Sequence, residues 1–245
     1  MKSSHSSAPQ IGFDRFIELD WIAAALHVRS DLETMEGLER LLEKAGMGAE
    51  ARIKTRTKLN ALVLAPRVDL IDFIDRGALT VSRDNYSSLA LSRFAWGAAL
   101  ATYPYFGKVS EIMGRLTNMQ GQCSVAEVHR RMGEFYGDRE IVKRATQAVL
   151  QSQVNWGVVE RVEKGRRLVR KMGEPVRDET TAGWLVEAAL RYHGRALPVA
   201  TIYGTAVLYP FELIPPVATI AGPLGQLEIR SEGVTQQVVA LRSGS

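Results

Sequence analysis

Between Phe106 and Lys171 the apolar pattern changes period once, and that change limits the fold more than any other feature of the chain. Up to Val154, apolar residues recur at three- and four-residue steps, the spacing of a buried helical stripe. After Trp156-Gly157 come Val158-Val159-Glu160-Arg161-Val162-Glu163 and Arg167-Leu168-Val169-Arg170, two strand-like runs joined at the turn signal Lys164-Gly165. Three helices precede the switch. Phe106 to about Met119 carries Val109, Ile112, Met113 and Leu116 on one face, and Gly121-Gln122-Cys123 breaks it. Ser124-Val125-Ala126-Glu127 is a capping box that opens a helix to about Tyr136. Gly137 ends that helix and Asp138 caps the next, which runs to about Val154 with Ile141, Ala145, Ala148, Val149 and Ser152 inward.

The flanks read differently. Met1 to Gln10 is a loose tail with four serines and Pro9. From Phe13 to about Ser82 the pattern is helical. A stripe of Leu32, Met35, Leu38, Leu41 and Leu42, capped by Ser30 or Asp31, ends near Gly46. A second helix runs from about Ala49 to Leu64, before Pro66, and a short third contains Leu70, Phe73 and Ile74. A longer one spans about Asn85 to Thr102. Beyond the switch, a linker of Gly173, Glu174 and Pro175 leads to a helix capped by Thr180 or Thr181 and ending near Gly194. A buried irregular segment around Tyr209-Pro210-Phe211 follows. The hairpin of 226–230 with 234–241 comes last, with Ala218 to Ala221 as a possible third strand. The expected class is mainly α with a small β component (α+β). Its expected parts are a tail (1–10), an N-terminal helical domain (11–104), a central module (105–172) and a C-terminal α+β cap (176–245).

Composition narrows the setting. With 245 residues, 46% of them hydrophobic, the chain can bury a sizeable core without covalent staples. Its single cysteine, Cys123, excludes an internal disulfide and suits a reducing cytoplasm. The polar start has no apolar run after Lys2, so no secretory signal is expected. Five prolines interrupt the charge-poor stretch Ala196 to Leu227, which therefore cannot be one spanning helix, and no membrane partner is expected. Charge is uneven. Residues 106–171 hold 13 basic and 7 acidic side chains, giving +6, while the other 18 basic and 20 acidic give −2. A local positive patch on a nearly neutral body suits a polyanion.

Helix, helix, turn, helix and a two-stranded hairpin within residues 106–171 resemble the winged helix-turn-helix family. The resemblance rests on the Ser124 box, the Gly137-Asp138 turn, the Trp156-Gly157-Val158-Val159 exit and the basic tip Lys164-Gly165-Arg166-Arg167. It implies a duplex DNA partner, with the third helix in the major groove and the wing on the backbone. The outward face of that helix should show Arg139, Glu140, Lys143, Arg144, Gln147 and Gln151, with no bulky apolar group outward. Arg and Lys can donate to guanine or phosphate, and Gln can pair with adenine. Lys164, Arg166 and Arg167 on the wing suit backbone phosphates or the minor groove, and His129-Arg130-Arg131 on the second helix suits a phosphate contact. Arg161, Arg170 and Lys171 stand behind the wing. A second cluster, Arg52, Lys54, Arg56 and Lys58, reads as a solvated helix face.

No phosphate-binding loop, dinucleotide fingerprint, nucleophile elbow or His-Glu-x-x-His occurs, so neither catalysis, a metal nor a cofactor is expected. The four histidines are scattered, and Cys123 lacks a nearby histidine to activate it. Two roles stay open. One is DNA binding, as a transcriptional regulator or as the DNA-contacting accessory subunit of a DNA-processing or bacterial anti-phage defence system. The other is a protein–protein adaptor whose winged helix assembles a larger complex or a homodimer.

Overall fold

The computed structural model describes residues 11–171, 173–222, 225–232 and 236–242. The tail expected over 1–10 and the hairpin turn expected at Gly233 lie outside the described residues. The described chain is mainly helical, with two small antiparallel three-stranded sheets.

The first helices are α1 (Leu19–Arg29), α2 (Met35–Lys44) and α3 (Ala49–Leu59), the last continuing as a π-helical turn over Asn60–Leu64. A 3-10 turn at Val68–Leu70 leads into α4 (Ile71–Arg83), and α5 (Ser88–Thr102) follows, capped by Ser87. Ser30 and Asp31 do not cap α2. Thr34 does, its hydroxyl accepting the Gly37 amide at 3.1 Å. Asp31 instead takes a left-handed conformation, φ 56°, and breaks the chain before the helix, so Leu32 is 66% exposed and only Leu38 and Leu42 of the expected stripe are buried.

Helix α5 is buried around its whole girth from Ala90 to Thr102, as a central helix must be. Against it lies α9 (Glu179–His193). Trp184 of α9 stacks between Phe73 and Phe94, with ring centroids 4.5 and 5.7 Å away, and donates its indole N–H to the Phe73 carbonyl at 2.7 Å. Gly77 and Gly97 make that approach possible, because a Cβ at either would overlap the indole. Burying a charge is costly unless it is fully paired. Glu187 on α9, only 1% exposed, meets that demand with the Arg76 fork at 2.8 and 3.0 Å and Arg191 at 2.8 and 3.0 Å. Two segments distant in sequence are thereby locked together. Asp178 caps α9 by accepting the Thr181 amide at 2.6 Å, which corrects the expected Thr180 or Thr181 cap. An aspartate one turn earlier offers the stronger, charged acceptor.

The middle of the chain holds α6 (Pro104–Gln120), β1 (Gln122–Ser124), α7 (Val125–Tyr136), α8 (Glu140–Asn155), β2 (Val159–Val162) and β3 (Arg167–Arg170). Pro104 opens α6 at its first turn and Gly121, φ 73°, closes it. One hydrophobic core runs without interruption from Phe13 through these helices to Val239. The N-terminal strap is fastened to the last turn of α8. Ile17 donates its amide to Ser152 Oγ at 2.9 Å and accepts the Trp156 indole N–H at 2.9 Å, and the Leu19 amide reaches Asn155 Oδ1 at 2.8 Å.

Beyond α9, β4 (Leu197–Pro198), two 3-10 turns at Val199–Gly204 and Ala206–Leu208, α10 (Val217–Ile220), β5 (Leu227–Glu232) and β6 (Gln236–Leu241) complete the chain. The sheet order is β4-β6-β5. Its third strand is therefore β4. Ala218 to Ala221, expected as that strand, form the short helix α10 and its end behind Pro216. Tyr209, Pro210 and Phe211 are buried as expected, with the Trp96 indole donating to the Val207 carbonyl at 2.9 Å.

Candidate nucleic-acid interface

Ser124 is both the last residue of β1 and the N-cap of α7, and its hydroxyl accepts the Glu127 amide at 3.0 Å. The carboxylate of Glu127 turns to Arg130 and Arg131 at 2.7–3.0 Å, which hold it well below the usual carboxylate range. Strand β3 pairs on one edge with β1, Cys123 facing Leu168, and on the other with β2, Val162 facing Arg167, giving the order β1-β3-β2. Between β2 and β3, Glu163, Lys164 and Gly165 are all left-handed, at φ 50°, 55° and 85°. This is a four-residue turn, Glu163 to Arg166, in place of the tight turn the dipeptide suggests. The Arg166 carbonyl accepts the Val125 amide at 3.0 Å, tying the turn to the start of α7.

Helix α8 begins one residue later than expected. Arg139 is its N-cap residue, and the Asp138 carboxylate, expected as the cap, pairs with Lys143 at 3.0 Å. Of the expected stripe, Ala145, Ala148, Val149 and Ser152 face inward, and Val142 takes the place of Ile141, which is 45% exposed. Either residue satisfies a helical period, and burial selects Val142. Inside the module, Tyr105 donates to the Val142 carbonyl at 2.9 Å and lies 2.8 Å from Thr146 Oγ1. Gln153 bridges Ser110 and Tyr209, at 3.0 and 3.3 Å. Cys123 is buried with its sulfur 3.2 Å from that of Met113, and burial pushes its thiol up to about 11.

The ten residues expected at the interface fall into three groups. Arg130 is held by Glu127 and Glu134, Arg131 by Glu127, Lys143 by Asp138, and Arg167 by Glu163 at 2.9 Å. Arg139, Arg144, Lys164 and Arg166 are exposed and have no acidic partner among the described residues; Arg139 donates only to the Tyr136 carbonyl, at 3.0 Å. Of the glutamines, Gln151 is exposed, while Gln147 is half-buried and hydrogen-bonds His129. Burial lowers the His129 pKa, the Gln147 bond opposes that shift and Lys143 adds to it. Behind the β2–β3 turn, Arg161 donates to the Gly165 carbonyl at 3.3 Å, and Nη2 of Arg161 and Nε of Arg170 are buried without partners among the described residues.

Sequence reasoning missed three features. It placed Ile141 inward, left Gln147 free of His129, and passed over the acids that neutralise Arg130 and Arg131. The last had a signal, because Glu127 and Glu134 stand three or four residues away, the spacing of ion pairs on one helix. Among the described residues, no three His, Cys, Asp or Glu side chains come together as a metal site requires, and no helix is long and apolar enough to cross a membrane. No family model, curated protein or solved structure matches the chain.

Proposed function

We propose that this protein binds duplex DNA through a winged helix-turn-helix module within residues 105–172, with α8 in the major groove and the β2–β3 turn as the wing on the backbone. The observation that carries the reading is the distribution of unneutralised charge. Arg139 and Arg144 on the first half of α8, with Lys164 and Arg166 on the wing turn, are exposed cations that no acid occupies among the described residues. Phosphate contact by such groups releases counterions and needs no internal ion pair to break first. The order α6, β1, α7, α8, β2, β3 with a β1-β3-β2 sheet supports the same reading, since it brings a helix and a hairpin tip to one module. The role is that of a transcriptional regulator or a DNA-contacting accessory subunit of a DNA-processing or anti-phage defence system.

A second reading, a protein–protein adaptor, draws support from one observation. Ile141 on α8 and Phe135 at the end of α7 are both exposed, and a scaffold would show apolar residues there. Fluorescence anisotropy of a labelled random duplex, titrated at several salt concentrations, separates the two. Binding that weakens steeply with salt is the expected result. Absence of binding at low salt overturns the DNA reading and leaves the adaptor.

A further inference from the structure

The exposed Ile141 stands where a DNA reader should carry base-specific contacts, in the first turn of the helix whose N-terminal residues such modules place against base edges. Resting on the DNA-binding reading, we propose that Ile141 contacts the 5-methyl group of a thymine in the major groove, beside a guanine read by Arg144. Three observations lead there. First, a helical period would accept either Ile141 or Val142 inward; the fold buries Val142 and leaves Ile141 45% exposed.

Second, the surroundings of Ile141 on α8 are polar: Arg139, Glu140, Lys143 and Arg144 are all exposed. Phe135 on the preceding helix is already engaged by a cation, the Lys108 ammonium lying 3.7 Å over its ring. A protein partner needs several apolar side chains together to form an interface core. A thymine methyl needs one. Isoleucine suits the contact because its branched side chain is stiff and loses little rotamer freedom on binding.

Third, Ile141 and Arg144 are three residues apart and therefore neighbours on the helix surface. They are separated along the axis by about 4.5 Å. Successive base pairs are about 3.4 Å apart. The two side chains therefore reach the same or neighbouring base pairs, an apolar contact next to a pair of guanine acceptors. The preferred duplex should hold a thymine within two base pairs of the guanine that Arg144 recognises.

Replacing thymine with deoxyuridine removes the methyl group and nothing else. The experiment selects the preferred duplex from a random pool with the full-length protein, then substitutes each thymine singly by deoxyuridine and measures affinity at constant salt. One substitution should weaken the parent about fourfold, the worth of one buried methyl-sized group. Ile141→Ala, which should melt at the parent's temperature because the side chain is exposed, should bind the thymine and deoxyuridine duplexes equally. A parent indifferent to every substitution, or an Ile141→Ala protein that still discriminates, overturns the role of Ile141 while leaving duplex binding intact. A parent that binds no duplex even at low salt overturns both readings and assigns this face to a protein partner.

Discussion

Two basic clusters of similar density lie on this protein, and they are not electrostatic equals. On α3, each cation has its acid: Arg52 pairs with Glu43 at 3.2 Å, Lys54 with Glu50, Arg56 with Glu39 at 2.9 Å and Lys58 with Asp14 at 2.8 Å. Across α8 and the β2–β3 turn, Arg139, Arg144, Lys164 and Arg166 have none among the described residues. A phosphate approaching α3 would have to displace four carboxylates, each already within ion-pair distance. One approaching α8 displaces water and counterions. The number of cations in a segment is therefore a poor guide to its field; the number left after internal pairing is the better one.

The largest effect should come from removing all four unpaired cations. Alanine at Arg139, Arg144, Lys164 and Arg166 together should abolish duplex binding at physiological salt and reduce the salt slope by about one for each phosphate no longer neutralised. Binding that survives in an anisotropy titration would break the comparison. Arg144→Ala alone should cost about 1–3 kcal/mol on the preferred duplex and far less on a random one, as befits a base contact. Glu127→Gln tests the paired group from the other side. It keeps the backbone cap to Ser124 and releases Arg131, while Arg130 keeps Glu134, so affinity at low salt should rise by about two- to fivefold, the scale of an exposed ion pair. Paired alanine substitutions at Arg52 and Arg56 should leave duplex binding unchanged. Urea unfolding should show a loss within about 1 kcal/mol for each, since their ion pairs are partly exposed.

Acid provides the mildest test, because it leaves every arginine and lysine charged. Burial holds His129 and His193 below the ordinary histidine value, so the unfolded chain takes up protons that the folded one resists. Stability from these groups is complete above about pH 6.5 and declines as pH falls through their lowered folded values. Thermal melts between pH 7.5 and 5 should show a small downward shift, reduced in a His129→Gln variant.

Much of the fold was visible in the sequence, for identifiable reasons. The Ser124 cap, the end of α7 at Gly137, the closure of α8 at Trp156-Gly157 and the strands β2 and β3 follow from local chemistry, where a hydroxyl, a glycine or a change of period has few alternative uses. Strand β1 was not visible, since three residues cannot display an alternation and its pairing with β3 is a tertiary event. The same holds for β4, whose Pro198 is tolerated because β4 lies at the sheet edge. The site was less legible than the fold around it. All ten residues expected at the interface lie on α7, α8, their junction or the β2–β3 hairpin, but which of them keep a free charge depends on neighbours. Asp138 illustrates the difficulty: read as a cap, it serves instead as the partner of Lys143.

The strap of residues that joins Ile17 and Leu19 to Ser152, Asn155 and Trp156 bears on portability. A segment cut out at residues 105–172 would expose the far end of α8, leaving the Trp156 indole without its acceptor and the faces of Phe106 and Trp156 without Phe13. Grafted into another host, residues 105–172 are not a cassette with clean edges. A chimera that carries residues 13–19 along with it has the missing piece, because the segment leading into α1 is hydrogen-bonded to the last turn of α8.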